Sequence, residues 1–207
     1  MHSTTALASE VVTKKAIKTH SVWKTSIRFT IVTAILLGLA YPLVVTGVAS
    51  LIFPHKAAGS LILKDGQIIG SELLAQSFTS DKYFHPRPSA AGTNGYDATA
   101  SGGSNLAQSN KALVDRIQGS IDKLAKENPG KPVPIDLVTT SGSGLDPDIT
   151  PDAAIFQAPR VAKARNLSED SVLQLIAQHT TPRQLGLLGE PRVNVLELNR
   201  ALDSLTK

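Results

Sequence analysis

Residues 29–55 carry no side chain with a formal charge at neutral pH, and within them residues 31–53 read IVTAILLGLAYPLVVTGVASLIF. A helix of that length reaches about 35 Å, enough to cross a hydrocarbon core of about 30 Å with some tilt. A soluble helix this long would show water a polar face, whereas only Thr33, Tyr41, Thr46 and Ser50 interrupt the apolar run. The pattern predicts a transmembrane helix over 27–53, ended by Pro54. The competing reading is a cleaved signal peptide, with Gly47-Val48-Ala49 as its small-residue site. The run is too long for a signal h-region and continues past that site, which favours an anchor. Within the helix Thr30, Ala34, Gly38, Pro42, Thr46 and Ser50 recur at every fourth position. Steps of four drift by about 40°, so these small residues trace a slowly winding groove, a candidate helix-packing face. Pro42 also frees the carbonyl of Gly38, which needs a kink or another partner.

Beyond the helix the periodicity shortens. Leu61-Ile62-Leu63 and Ile68-Ile69 flank an Asp65-Gly66 pair, a hairpin signal. A short helix is expected at 72–78, then a long Gly/Ser/Pro/Asn-rich loop over 81–105. Leu113, Ile117, Ile121 and Leu124 mark one face of a helix over 106–127, with Asn105 as its cap and Asn128-Pro129-Gly130 as its stop. Residues 133–138 read as a short buried strand and 139–148 as a loop. Thr150-Pro151 and Ser168 each open a helix in good N-cap style, the second with Val172, Leu175 and Ile176 inward. A strand over 192–195 and a last amphipathic helix with Leu198, Leu202 and Leu205 complete the reading. The predicted fold is α+β: one N-terminal transmembrane helix, then one helix-rich domain with a small sheet.

Charge orients this arrangement. The chain of 207 residues has a net charge of +4, but residues 1–30 alone account for +4 and residues 57–207 sum to −1. Five Lys or Arg precede the apolar run, and only Lys56 and Lys64 follow it closely. The positive-inside rule therefore puts a basic arm, 1–26, in the cytoplasm and the domain, 54–207, outside. Residues 1–20 are polar and expected to be disordered. A domain near neutrality is a poor trap for phosphate backbones, which argues against nucleic acid as a partner. The absence of cysteine excludes disulfides, thiolate metal sites and thiol nucleophiles.

Few motifs carry chemistry. No Walker A pattern occurs, and Gly142-Ser143-Gly144 lacks the third glycine of a dinucleotide loop. Gly102-Gly103-Ser104-Asn105-Leu106 approaches a nucleophile elbow but ends in Leu. The five histidines form no H-x-x-x-H pair. No catalytic, cofactor-binding or metal-ligating residue is assigned. Asn166-Leu167-Ser168 matches a glycosylation sequon but already reads as a helix start. Asp146, Asp148 and Asp152 suggest a cation site only weakly, since their spacing fits no EF-hand. The run 160–165, RVAKAR, reads as a solvated basic face. One region stands out: Tyr83-Phe84-His85-Pro86-Arg87-Pro88 followed by Ser101-Gly102-Gly103-Ser104. Two prolines fix the backbone around Arg87, and the glycine pair permits positive φ. His85, Arg87, Ser101, Gly102, Gly103 and Ser104 thus form a candidate docking loop, with an anion cradle or an internally paired arginine as the alternatives.

Taken together these segments resemble the C subunit of the bacterial Kdp-type potassium-transporting ATPase (the KdpC family). The resemblance is carried by 28–53, GSLI at 59–62, YFHPRPSAAG at 83–92, YDATASGGSNL at 96–106, VPIDLVTTSGSGLDPDITPDAA at 133–154, PRVAKARNLS at 159–168 and GEPRVNVLELNRALD at 189–203. It spans roughly 24–203 and fades over the basic arm. It implies a non-catalytic accessory subunit in the bacterial inner membrane. Its implied partners are a channel-like potassium-binding subunit, a P-type ATPase catalytic subunit and a small membrane peptide. The implied roles are assembly of the importer and a raised affinity of the pump for ATP. The residues agree with an accessory role: the phosphorylation motif D-K-T-G-T and a TVGYG-like filter are absent, and one helix cannot line an ion path alone. An outward-facing domain conflicts with direct ATP contact, so ATP rests on the resemblance alone. The alternatives are a membrane-anchored hydrolase using Ser104 or a carboxylate pair, and a free-standing receptor.

Overall fold

The computed structural model describes residues 22–205, which divide after Pro54 into two compact units. The expectation of a disordered segment over 1–20 lies outside the described residues. The first unit is one helix, Val22–Ile52. It consists of α1 (Val22–Ile35), a π turn over Leu36–Ala40, and α2 (Tyr41–Ile52). In the π turn the Tyr41 N–H bonds the Leu36 carbonyl five residues back. Pro42 follows at once. In a regular helix its ring would press on the Gly38 carbonyl, and widening the preceding turn lets that carbonyl swing clear. The strain expected at Gly38 is thus resolved as a π turn. None of the helix's apolar window is buried.

The second unit opens with a single turn, α3 (Pro54–Ala57). The hairpin follows as β1 (Leu61–Lys64) and β2 (Gln67–Ser71), paired antiparallel with Lys64 opposite Gln67. Asp65 and Gly66 take φ of 51° and 78°, the two positive values that a type I′ turn needs. The helix expected at 72–78 does not form. The Ala75 N–H goes to the Leu145 carbonyl at 2.9 Å instead of back along its own segment, and Glu72 is tied through its carbonyl to Asn194 Nδ2 at 2.8 Å. Long-range partners win over a weak local propensity.

Helix α4 (Lys111–Glu127) begins later than expected. Asn110, in extended conformation, caps it by accepting from the Ala112 N–H. Asn105 instead adopts φ 51°. Its apolar face, Leu113, Ile117, Ile121 and Leu124, is half-buried. The strand expected over 133–138 is a 3₁₀ turn, Ile135–Leu137. Pro132 and Pro134 lack ladder donors, and the buried Asp136 carboxylate accepts the Thr150 N–H at 2.8 Å.

The rest forms the core. It comprises β3 (Asp148–Ile149), α5 (Pro151–Arg165), α6 (Glu169–Gln178), β4 (Thr180–Thr181), β5 (Arg192–Asn194) and α7 (Val195–Leu205). Thr150 and Ser168 cap α5 and α6 as expected, and Asn166 ends α5 at φ 56°. β5 lies between β3 and β4, antiparallel to both. The two-residue strands β3 and β4 have no periodicity to detect. Phe84, Val161, Val172, Val193, Leu198 and Leu202 are sealed from solvent. Alanines 153, 154, 158 and 162 let α5 pack closely within this core. Of the three leucines that mark the last helix as amphipathic, Leu198 and Leu202 are buried and Leu205 is exposed. The architecture is mixed α+β, with one long apolar helix at the N-terminal end and two small sheets.

Candidate functional site

The loop singled out by the sequence is built from its backbone outward. Phe84 and His85 have no strand to pair with, so side chains of two helices hold their main chain. Asn199 of α7 accepts from the Phe84 N–H at 2.8 Å and donates to its carbonyl at 3.0 Å. Gln157 of α5 does the same for His85, at 2.8 and 3.1 Å. Both amides are buried. This clasp seats Phe84 in the core and aims the chain toward Arg87.

Arg87 is internally paired. Its Nη1 meets Asp146 Oδ2 at 3.3 Å, and its remaining donors reach the Thr139 carbonyl, the Thr139 hydroxyl and the Thr140 carbonyl. The pair is half-buried, which makes it worth more than a surface ion pair. The guanidinium thus ties 83–97 to 139–146. Ser89 reinforces the tie: its Oγ donates to the Gly144 carbonyl at 2.6 Å and accepts from the N–H groups of Ala91 and Tyr96. The Tyr96 hydroxyl donates to the Arg87 carbonyl at 2.9 Å, and burial raises its pKa.

The two glycine-rich stretches meet here. The Gly102 N–H and the Ser101 hydroxyl both donate to the Ser143 carbonyl, at 2.8 and 3.0 Å. A Cβ on Gly144, whose φ is 66°, would lie 2.5 Å from the Gly102 carbonyl oxygen, and one on Gly103 would lie 3.2 Å from that of Gly142. Glycine is required at 144 by conformation and by contact. Ser104 is half-buried; among the described residues its hydroxyl holds no hydrogen bond to a histidine or carboxylate. The structure therefore brings Arg87, Ser101, Gly102 and Gly103 into one interlocked pair of loops with 139–146. His85 sits on the other side of the Pro86 turn, against α4 and α5.

There the His85 Nε2 lies 3.2 Å from the Ser80 carbonyl. A carbonyl only accepts, so this nitrogen carries the proton. Burial first, then the Arg160 charge, lowers the His85 pKa. Arg160 donates to the carbonyls of Asp81 and Tyr83 and to Gln157 Oε1, and its Nε faces Glu127 at 3.3 Å as an ion pair. Arg165 lies over the Tyr83 ring at 4.8 Å, donates to the Lys82 carbonyl and pairs with Asp203 at 2.8 Å. The expected solvated face over 160–165 is corrected here: the Arg165 side chain is 5% exposed. Spacing gave no signal for this, since each arginine is held by carbonyls of a distant loop.

The three aspartates separate by role. Asp146 pairs with Arg87 and Asp148 with Arg192 at 2.9 Å, while Asp152 stands in the first turn of α5. Burial raises the Asp148 pKa, opposed by Arg192. Among the described residues no cluster of three or more His, Asp or Glu is placed to hold a metal ion. A cavity of about 700 Å³ is an open groove between the 131–135 segment and α5, lined by Ile135, Ile155, Phe156 and Pro159, with Lys131, Asp152 and Glu169 among its polar residues. On the N-terminal helix Thr30, Ala34, Gly38, Pro42, Thr46 and Ser50 are all exposed.

Sequence comparison places this arrangement among known proteins. The family described as K+-transporting ATPase, c chain (KdpC) matches residues 23–204. A potassium-transporting ATPase KdpC subunit from Rhodopseudomonas palustris (strain BisB18) is 58% identical over 181 residues, covering 82% of this chain and 91% of the relative. Its counterpart from Bradyrhizobium diazoefficiens is 59% identical over 177 residues, covering 80% and 88%. That from Acidobacterium capsulatum is 57% identical over 183 residues, covering 88% and 97%. The match runs through the apolar helix, the clasped loop and the core helices alike, and the chain belongs to the KdpC family of potassium-transporting ATPase subunits.

Proposed function

We propose that this chain is a single-pass, non-catalytic subunit of an ATP-driven potassium importer, with residues 1–26 in the cytoplasm, 27–53 in the inner membrane and 54–207 outside. The observation that carries the reading is a 31-residue helix whose apolar window has no buried residue in a chain of this family. Such a helix requires lipid or other membrane helices around it, and the flanking charge sets its direction. Its partners are the channel-like potassium-binding subunit, the P-type catalytic subunit and the small membrane peptide of the same complex. Thr30, Ala34, Gly38, Pro42, Thr46 and Ser50 form the face on which a partner helix packs. Of the candidate docking loop, His85, Arg87, Ser101, Gly102, Gly103 and Ser104, the part from Arg87 with Ser101, Gly102 and Gly103 presents a rigid surface, because Arg87, Ser101 and Gly102 are held from within and its shape is set before any encounter.

With the domain outside, a raised affinity of the pump for ATP reaches the cytoplasmic site through assembly rather than by contact with nucleotide. Co-expression with the other subunits and purification in mild detergent through a tag on this chain should recover two much larger membrane proteins. A reporter fused after Lys207 should be active only outside the cytoplasm. Recovery of a lone chain, or a cytoplasmic reporter, would overturn the reading.

A further inference from the structure

Residues 181–190 are exposed without interruption, yet they read TPRQLGLLGE and carry three leucines. Leu185 is 91% exposed, Leu187 81% and Leu188 59%. The segment is a tight reversal between β4 and β5, and its shape is fixed. The Gln184 N–H donates to the Leu188 carbonyl at 2.8 Å and the Leu188 N–H to the Gln184 carbonyl at 2.9 Å. Arg183 and Glu190 form an ion pair across the base. Leu185 sits at φ 53°, followed by Gly186 at 75°. A leucine in the left-handed region is strained, and this one recovers nothing by packing. A Gly or Asn would serve the turn better and a polar residue would serve solubility better. The fold does not explain Leu185, Leu187 or Leu188.

We infer that this leucine-tipped hairpin is a docking plug that inserts into an apolar, uncharged pocket on the outer surface of another subunit of the same complex. The inference rests on the assembly reading above. A protein pocket is favoured over lipid on three grounds. The segment's only charges, Arg183 and Glu190, neutralise each other, so it offers no attraction to anionic headgroups. It has no Trp or Tyr, the residues that settle at a bilayer interface. Its backbone is preorganised, which strengthens binding to a shaped site and gains little from a fluid one.

The experiment uses the full chain co-expressed with its complex. Wild-type co-purification establishes the assembly reading; if it fails, that reading falls first. Leu185→Asp with Leu187→Asp should then raise the apparent dissociation constant for the large subunits by about tenfold or more, with the melting temperature of the chain unchanged. Leu185→Gly should weaken association while holding or raising the melting temperature, because glycine accepts the positive φ. A photo-crosslinking residue at 187 in native membranes should give an adduct to a protein subunit. Undiminished association of both variants, crosslinking to lipid alone, or a fall in melting temperature for Leu185→Gly would each overturn the plug while leaving wild-type assembly intact.

Discussion

Asn199 holds both backbone polar groups of Phe84 at the start of the candidate loop, and its removal has a calculable cost. In Asn199→Ala the Phe84 N–H and carbonyl lose their partners in a place where Phe84 is 0% exposed and Asn199 2%. A buried backbone group left unpaired costs about 1–3 kcal/mol, so two such groups should cost about 2–6 kcal/mol, water entry setting the lower end. For a domain of this size each kcal/mol lowers the melting temperature by about 2–4 °C, a fall of about 4–24 °C. The assay is far-UV circular dichroism of the full chain in mild detergent, followed through the melting of residues 55–207. Asn199→Leu separates polar pairing from simple volume: it fills the space but pairs nothing, and should be no more stable than the alanine variant. A loss under about 1 kcal/mol, or recovery in the leucine variant, would refute the argument that the clasp acts through hydrogen bonds.

Gly144→Ala should lose about 2 kcal/mol or more, because the new methyl meets the Gly102 carbonyl oxygen at 2.5 Å and the Ala91 nitrogen at 2.8 Å in a left-handed conformation; urea unfolding reads it directly. Arg87→Lys keeps the charge but loses the fork that serves Asp146, Thr139 and Thr140 together, and its urea midpoint should report a loss of about 1–2 kcal/mol. His85 favours its neutral form in the fold, so it contributes stability above its ordinary value of 6.5 that is lost as pH falls through its lowered folded value. Melting curves from pH 7 downward should therefore fall more steeply for wild type than for His85→Asn. Equal slopes would show that burial and the charges of Arg160 and Lys123, opposed by Glu127 and the Ser80 carbonyl, do not hold this imidazole neutral.

The parts of the fold that the sequence announced are those governed by local rules. Asp65-Gly66, Thr150-Pro151 and Ser168 are turn and cap chemistries that act over a few residues, and each stands where expected. The helix of residues 106–127 was legible in its period but not in its start, since Asn105 and Asn110 offer the same cap chemistry and only tertiary packing chooses between them. Segments 72–78 and 133–138 failed because their amides are claimed from far away, by Leu145 in one case, and because prolines in the other leave only a 3₁₀ turn. Candidate loop residues were visible through their prolines and glycines. The side chains that hold them, Asn199, Gln157, Arg160 and Arg165, come from helices 70 or more residues away in sequence and look like ordinary surface positions.

The π turn has a geometric effect beyond relieving Pro42. In an unbroken α-helix five steps of four residues would rotate the row from Thr30 to Ser50 through about 200°, more than half the circumference. A π turn accommodates roughly one additional residue and so sets the phase back by about 100°. Placed at Leu36–Ala40, midway along the row, it returns Pro42 to the sector between Thr30 and Ala34 and keeps Thr46 and Ser50 within about 100° of Thr30. What the bare repeat describes as a spiral over more than half the circumference becomes a strip confined to one side of the rod.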